Sequence, residues 1–270
     1  MNDVESIARL IDALSPWQQS LVIVGGWAHR LHRLAPGAQT PSYEPLRTQD
    51  ADIAFSTDAG PTGDMAGALK RAGFEEEVVG EHRPPVTSYR LGKEHNGFYA
   101  EFLTPLIGSG MRRDGTKDAT VLIAGVTAQK LRYLELLLME PITVHLSTLG
   151  STPEQRALST RIANPVTFIA QKLLIRDKRK PNKQAQDVLY VHDTLELFSG
   201  ELAALKTLWK DRLRPSMPES IVKSVEALSR SQFALTDDAI RGAARIVPTR
   251  KLSADTVRAA CQYGTGEIFG

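Results

Sequence analysis

The hydrophobic period of this chain changes near residue 160, and that change limits what it can fold into. Before it, short apolar runs such as LVIV at 21–24 alternate with helical stripes. After it, the apolar residues recur at the 3.6-residue spacing of helices. Strands interleaved with helices predict a mixed sheet with helices on it, and the helical tail predicts a separate layer of helix on helix. The expected fold class is therefore α/β (α+β), with a mixed-sheet domain over 1–160 and an α-helical domain over 161–270.

Residues 3–14 place Val4, Ile7, Ala8, Leu10, Ile11 and Leu14 on one helical stripe. This stretch is acidic and amphipathic, which predicts a helix rather than a signal peptide. LVIV ends in Gly25-Gly26, and Trp27, Leu31 and Leu34 follow at helical spacing. Residues 35–46 hold three prolines and no periodicity, and read as a loop. RTQDADIAFS at 47–56 reads as the next strand, followed by a short helix closed by Gly73. VTSYRL and GFYAEFL read as strands joined by a turn at GKEHNG. ATVLIAGV predicts one more strand. TAQKLRYLELLL predicts a helix whose apolar tail also suits a strand, and PITVHL predicts a short strand. In the second half Asn164 and Pro165 offer an N-cap and a first helical residue. A further helix begins at Asn182 and stops at Gly200, with Val188, Val191, Leu195 and Phe198 as its stripe. Three or four more amphipathic helices fill 201–262.

Composition narrows the function classes. The 270 residues are 42% hydrophobic and 24% charged, enough for a packed core. No apolar run approaches the roughly 20 residues that span a bilayer, so no membrane role is expected. A net charge of +2 names no partner and speaks against extensive RNA binding, where a basic excess is usual. The single cysteine, Cys261, excludes an internal disulfide and a cysteine-only zinc site. A reducing, cytoplasmic setting is the expectation. The histidines (His29, His32, His82, His95, His145 and His192) have no ligand spacing with cysteines and read as surface or packing residues.

Two acids in one apolar strand carry the chemistry. Alternate strand residues share a face, so Asp50 and Asp52 point one way while Ala51, Ile53 and Phe55 point the other. Their Cα atoms would lie about 6.6 Å apart, at about 3.3 Å per residue. Parallel carboxylates at that spacing repel unless a cation joins them, and hard oxygen ligands suit Mg²⁺ or Mn²⁺. Taken alone, such a tripeptide more often marks a strand end in water. Three other features point toward a site. Gly25-Gly26 between a strand and a helix leave room for a phosphate at the backbone, though they equally make a plain strand-to-helix turn. Glu101 interrupts another apolar strand, either as a third carboxylate or as an edge residue in water. QKLLIRDKRKPNKQAQD places Lys172 in an apolar helix, Lys183 and Asp187 four apart on the next, and a basic run between them. That run reads as a phosphate- or RNA-contacting rim, or as a solvated turn with one helical salt bridge.

The order of these pieces resembles the nucleotidyltransferase superfold of polymerase-β-like enzymes. Closest in pattern are the AbiEii-type toxin nucleotidyltransferases and the GSU2403-type nucleotidyltransferase-fold proteins, which read G-G-x-A, then T-x-D-aliphatic-D, then helices with K-L and K…D. Here those residues are Gly25, Gly26, Ala28, Thr48, Asp50, Asp52, Lys172, Leu173, Arg179, Lys183 and Asp187. Coverage runs from about residue 5 to 200. The chain departs in having Gly-Gly where Gly-Ser is usual, and in Ala51 where a larger aliphatic is usual. The resemblance implies an enzyme that moves an NMP from an NTP to an acceptor hydroxyl on RNA such as tRNA, on a protein or on a small molecule. It implies Asp50, Asp52 and Glu101 as catalytic residues and ligands of Mg²⁺ or Mn²⁺. Gly25, Gly26, Trp27, Thr48, Lys172, Arg179, Lys183 and Asp187 would bind the nucleotide. It also implies a toxin role with a cognate antitoxin as partner. The alternative is a catalytically silent binding protein of the same fold.

Overall fold

The computed structural model describes residues 3–56, 60–79, 84–92, 97–111, 115–147 and 152–270. The chain forms two compact units, Met1–Leu34 with Leu46–Ala163, and Ala35–Pro45 with Asn164–Gly270.

The first unit is built on a mixed sheet. Its central strand β1 (Leu21–Val24) is buried along its whole length. It pairs antiparallel with β2 (Asp50–Phe55) and parallel with β9 (Ser159–Ile162). On the far side, β2 runs parallel to β5 (Tyr99–Pro105), which pairs antiparallel with β4 (Val86–Leu91), and β4 with β3 (Phe74–Val79). The hairpin β6 (Thr120–Ile123) and β7 (Val126–Leu131) joins through β7 to β5, and β8 (Ile142–His145) closes the other edge on β9. Helices α1 (Asp3–Ala13), α2 (Gly25–Leu31), α3 (Met65–Arg71) and the short α5 (Pro153–Arg156) belong to the same unit. The core gathers Ile7, Leu10, Ile53, Phe55, Tyr89 and Phe102, with Phe55 stacked on Phe102 at 5.7 Å and Tyr89 edge-on to it at 5.8 Å. Each such side chain contributes roughly 1.5–3 kcal/mol by burial.

Three segments differ from the sequence expectation. FEEEVV forms β3, whose consecutive glutamates are exposed and erase the alternation that marks a strand. Phe74 is its buried anchor, and Lys70–Glu76 and Arg90–Glu77 pairs, both at 2.7 Å, flank it. TAQKL belongs to β7, and the helix α4 is confined to Leu134–Leu137. Good helix formers sit in a strand there because Ala124 and Gly125, with φ of 49° and 84°, make a two-residue hairpin turn that feeds β7 alongside β5. STRI, which carried no prediction, is β9; at four residues it is too short to show a period. Most of the expected turn at GKEHNG lies outside the described residues.

The second unit is helical: α6 (Pro165–Ile175), α7 (Pro181–Leu197), α8 (Leu202–Leu208), α9 (Glu219–Ser231), α10 (Asp238–Ile246) and α11 (Ala254–Phe269). Asn164 caps α6 by accepting from the Thr167 N–H at 2.9 Å. The predicted stripe Val188, Val191, Leu195 and Phe198 is buried, as is the free thiol of Cys261. Residues 35–45 have no regular structure and lie along this unit. The Gln39 N–H donates to the Leu197 carbonyl at 2.7 Å, and the Tyr43 hydroxyl to Glu196 at 2.8 Å.

Candidate active site

The carboxylates of the first unit rest on sheet register. β2 and β5 run parallel with Asp50 opposite Tyr99 and Asp52 opposite Glu101. Paired residues of adjacent strands project from the same face, so Glu101 sits beside the two aspartates rather than away from them. Gly25 follows β1, whose last residue, Val24, lies opposite Asp52. Gly25 has φ +63°, and a Cβ built on it would come within 2.1 Å of Asp52 Oδ2. Glycine is required twice over, for the left-handed backbone and for the space that the carboxylate fills.

Local hydrogen bonds hold the acids. The Thr48 hydroxyl donates to Asp50 Oδ1, and Gln129 Nε2 donates to Glu101 Oε2 at 3.4 Å. Burial and, second to it, the charge of Asp50 raise the Glu101 carboxyl above its ordinary proton affinity. The Tyr99 phenol is pushed up to about 12 by burial and then by Asp50, Glu101 and Asp52. Mutual electrostatic influence across Asp50, Asp52, Glu101 and Tyr99 marks one negatively charged patch. An all-oxygen donor set with surplus negative charge fits Mg²⁺ or Mn²⁺ and not a nitrogen- or sulfur-preferring metal. Gln129 lies in the stretch that reads as helix, so no sequence signal placed it near Glu101.

Trp27 has its ring in the core, 1% exposed, with Phe98 edge-on at 5.9 Å and the Arg30 guanidinium 4.2 Å from the ring centroid. Only its backbone is left to meet a ligand. Gly26 is partly exposed.

In the helical unit the expected Lys183–Asp187 salt bridge is not formed. Asp187 is buried and pairs with Lys172 at 2.7 Å and with Arg179 at 3.1 Å. Lys183 donates to Gln186 at 3.2 Å. The buried Asp187 is taken by Lys172 and Arg179, while Lys183 stands exposed in the first turn of its helix. The Lys172 ammonium lies 5.4 Å from the Phe168 ring centroid and 5.5 Å from that of Tyr190, and its contact with Asp187 is ionic rather than well-aligned hydrogen bonding. Arg176, expected in a basic rim, is buried and bonded to Asp237 and to the Gln232 carbonyl. Lys178 and Lys180 are exposed.

Among the described residues, one trio brings its metal-binding atoms within 4.8 Å of one another: His192, Asp193 and Glu196. The Asp50, Asp52 and Glu101 oxygens are more widely spread. Proximity alone misleads here, because Arg250 takes both Asp193 oxygens at 2.8 Å and stacks on Tyr43 at 3.5 Å. Asp193 and Glu196 are the acidic half of an ion-pair network with Arg250, and His192 lies against Asp193. The remaining histidines are consistent with packing or surface roles. His29 and His32 are buried and His145 is exposed. His32 Nε2 lies 2.8 Å from the Ala163 carbonyl, and burial pushes its imidazole down to about 4. His82 and His95 lie outside the described residues.

Comparison with known proteins adds three findings. A family model described as Nucleotidyltransferase matches residues 2–214. No curated protein matches the sequence. Among solved structures, the antibiotic-resistance factor ANT(2'')-Ia is similar at 12% identity and a TM-score of 0.34, with 86% of this chain and 92% of that one covered. At that score nothing further follows from the likeness. No helix among the described residues is long and apolar enough to cross a membrane.

Proposed function

Given that this chain belongs to the nucleotidyltransferase family, we propose that its transfer site is the face shared by β2 and β5. There Asp50, Asp52 and Glu101 would hold Mg²⁺ or Mn²⁺ while an NMP passes from an NTP to an acceptor hydroxyl. The observation that carries this reading is the register of Asp52 with Glu101, together with the seat that Gly25 leaves for the Asp52 carboxylate.

A bound divalent ion supplies Lewis acidity toward the triphosphate and the acceptor oxygen. The chain's own residues do the rest. Thr48 fixes one Asp50 oxygen, and Gln129 steadies Glu101. The backbone at Gly25, Gly26 and Trp27 is the part suited to phosphate oxygens. Glu101 completes the ligand set or takes the acceptor proton. The acceptor oxygen bonds to the α-phosphorus, the bond from that phosphorus to the bridging oxygen breaks, and its electron pair leaves on pyrophosphate. Lys172 and Arg179 are engaged with Asp187, so Lys183 is the sequence-nominated cation most open to an anionic ligand.

The test uses each α-labelled NTP with Mg²⁺ or Mn²⁺ and three acceptor pools: cellular RNA, cellular protein and small-molecule hydroxyl compounds. Label transfer by the native chain and its loss in Asp52→Ala support the reading. Equal transfer by both proteins contradicts it. The resemblance to AbiEii-type toxins motivates a growth assay, in which expression slows growth and Asp52→Ala relieves it. Growth unaffected by the native chain removes the toxin role and, with it, the reason to look for an antitoxin.

A further inference from the structure

The two sheet rows that carry the carboxylates also carry one cation. Register aligns Asp52, Glu101, Ser88 and Glu77 in one row, and Asp50, Tyr99, Arg90 and Glu75 in the next. Arg90 is the basic side chain in these rows. Its guanidinium lies 5.3 Å from the Tyr99 ring centroid and donates from Nε and Nη2 to Glu77 at 3.0 and 2.7 Å. The Arg90 and Glu77 side chains are 23% and 47% exposed. An ion pair so open to water is weak and screened by salt, so a phosphate can compete for the guanidinium. A planar fork of N–H groups matches phosphate oxygens two at a time, which an ammonium cannot do. Tyr99 sits between this cation and Asp50 in the row. Its hydroxyl makes no hydrogen bond among the described residues, and a phenol carries its proton near neutral pH. It is therefore a neutral donor beside acids that can only accept.

We propose that Arg90 and Tyr99 are substrate-contacting residues that grip the β- and γ-phosphates of the NTP and stay with them as pyrophosphate leaves. The proposal rests on the reading that Asp50, Asp52 and Glu101 form the transfer site. In the transfer step the breaking bond puts its electron pair, and so a growing negative charge, on the pyrophosphate oxygen. Register puts the Arg90 guanidinium on the carboxylates' own sheet face, where it can meet that charge. The chemistry recognised is the diphosphate itself, so the contact is indifferent to the base of the NTP.

The probe is inorganic pyrophosphate with Mg²⁺, titrated calorimetrically into the full-length chain. Arg90→Gln is expected to weaken binding at least tenfold, Arg90→Lys to recover part of the loss, and Tyr99→Phe to weaken it several-fold, with melting temperatures near native. Glu77→Gln, which removes the partner but not the cation, is expected to bind as tightly as the native chain or more tightly. Native affinity in Arg90→Gln, alongside weakened binding in Asp52→Ala, overturns the role of Arg90 while leaving the transfer site standing. Binding indifferent to Asp52→Ala overturns the site and this proposal together. A loss in Glu77→Gln equal to that in Arg90→Gln shows that the pair only braces the sheet edge, and also overturns the proposal.

Discussion

The Asp52 carboxylate occupies the space where a side chain on Gly25 would stand, 2.1 Å from the position of the missing Cβ. The turn after β1 and the acid on β2 are thus one device, though 27 positions separate them in the sequence. Gly25→Ala must displace the carboxylate and hold alanine at φ +63°. The expected cost is about 1–3 kcal/mol of stability, with nucleotidyl transfer reduced far more than stability alone explains. Urea denaturation and label transfer on the same preparation check both. Native activity in a stable Gly25→Ala would dissociate the glycine from the acid.

Glu101 trades stability for its position. Its carboxyl binds protons more tightly in the folded chain than in the unfolded one, because of burial and Asp50. A raised acid contributes stability below its unfolded value and loses it as pH rises through the folded one. Glu101→Gln is therefore expected to melt higher than the native chain at pH 7. That gain should shrink as pH falls into the ordinary carboxylate range, and the variant should be catalytically poor throughout. Thermal scans from pH 7 to pH 4 measure it, and a variant that melts lower at pH 7 contradicts the electrostatic reading.

His32 has the opposite sign. Burial pushes it down to about 4 from an unfolded value of about 6.5. The unfolded chain takes up the proton first, so stability is full above about pH 6.5 and falls as pH drops toward the folded value. The ceiling is about 3 kcal/mol at 1.36 kcal/mol per unit. His32→Gln, which retains a donor for the Ala163 carbonyl, should flatten the acid limb of stability measured in urea between pH 7 and pH 4. An unchanged limb would assign acid sensitivity elsewhere.

Lys172 and Asp187 predict a contrast within the nominated nucleotide-binding set. Their side chains are 8% and 3% exposed; removing Lys172 leaves Asp187 only the more exposed Arg179, and removing Asp187 strands Lys172, at up to about 3–5 kcal/mol. Arg179 is 38% exposed, and Arg179→Ala should cost under about 1 kcal/mol. Denaturation of Lys172→Met, Arg179→Ala and Lys172→Met with Asp187→Leu checks the order, the double change being milder than Lys172→Met alone. Nucleotide affinity is interpretable for Arg179→Ala and Lys183→Ala, where folding is spared. Equal destabilisation by Lys172→Met and Arg179→Ala would contradict the burial argument.

Much of the fold was legible because periodicity and caps are local. LVIV, DADIAF and the Asn164 cap read directly from neighbouring residues. FEEEVV did not, because an edge strand in water needs no alternation. VTAQKL did not, because pairing with β5 overrides a sequence that favours helix. The candidate site divides in the same way. Asp50 and Asp52 declare themselves by spacing in one strand, and Gly25 by its dipeptide. That Glu101 falls beside Asp52, that Gln129 reaches Glu101 and that Asp187 prefers Lys172 to Lys183 are matters of register and burial, which link residues far apart in sequence. Arg90 carries no motif at all; its place beside the acids follows only from the β4–β5 pairing.

The central claim is that Asp50, Asp52 and Glu101 form a divalent-cation site, and a Mn²⁺ titration followed by electron paramagnetic resonance tests it most directly. In the presence of an NTP the native chain is expected to bind Mn²⁺ saturably. Asp50→Asn with Asp52→Asn should abolish that binding while leaving the melting temperature near or above native, and Asp193→Asn should leave Mn²⁺ binding intact. Undiminished Mn²⁺ binding in the doubly substituted chain would contradict the site.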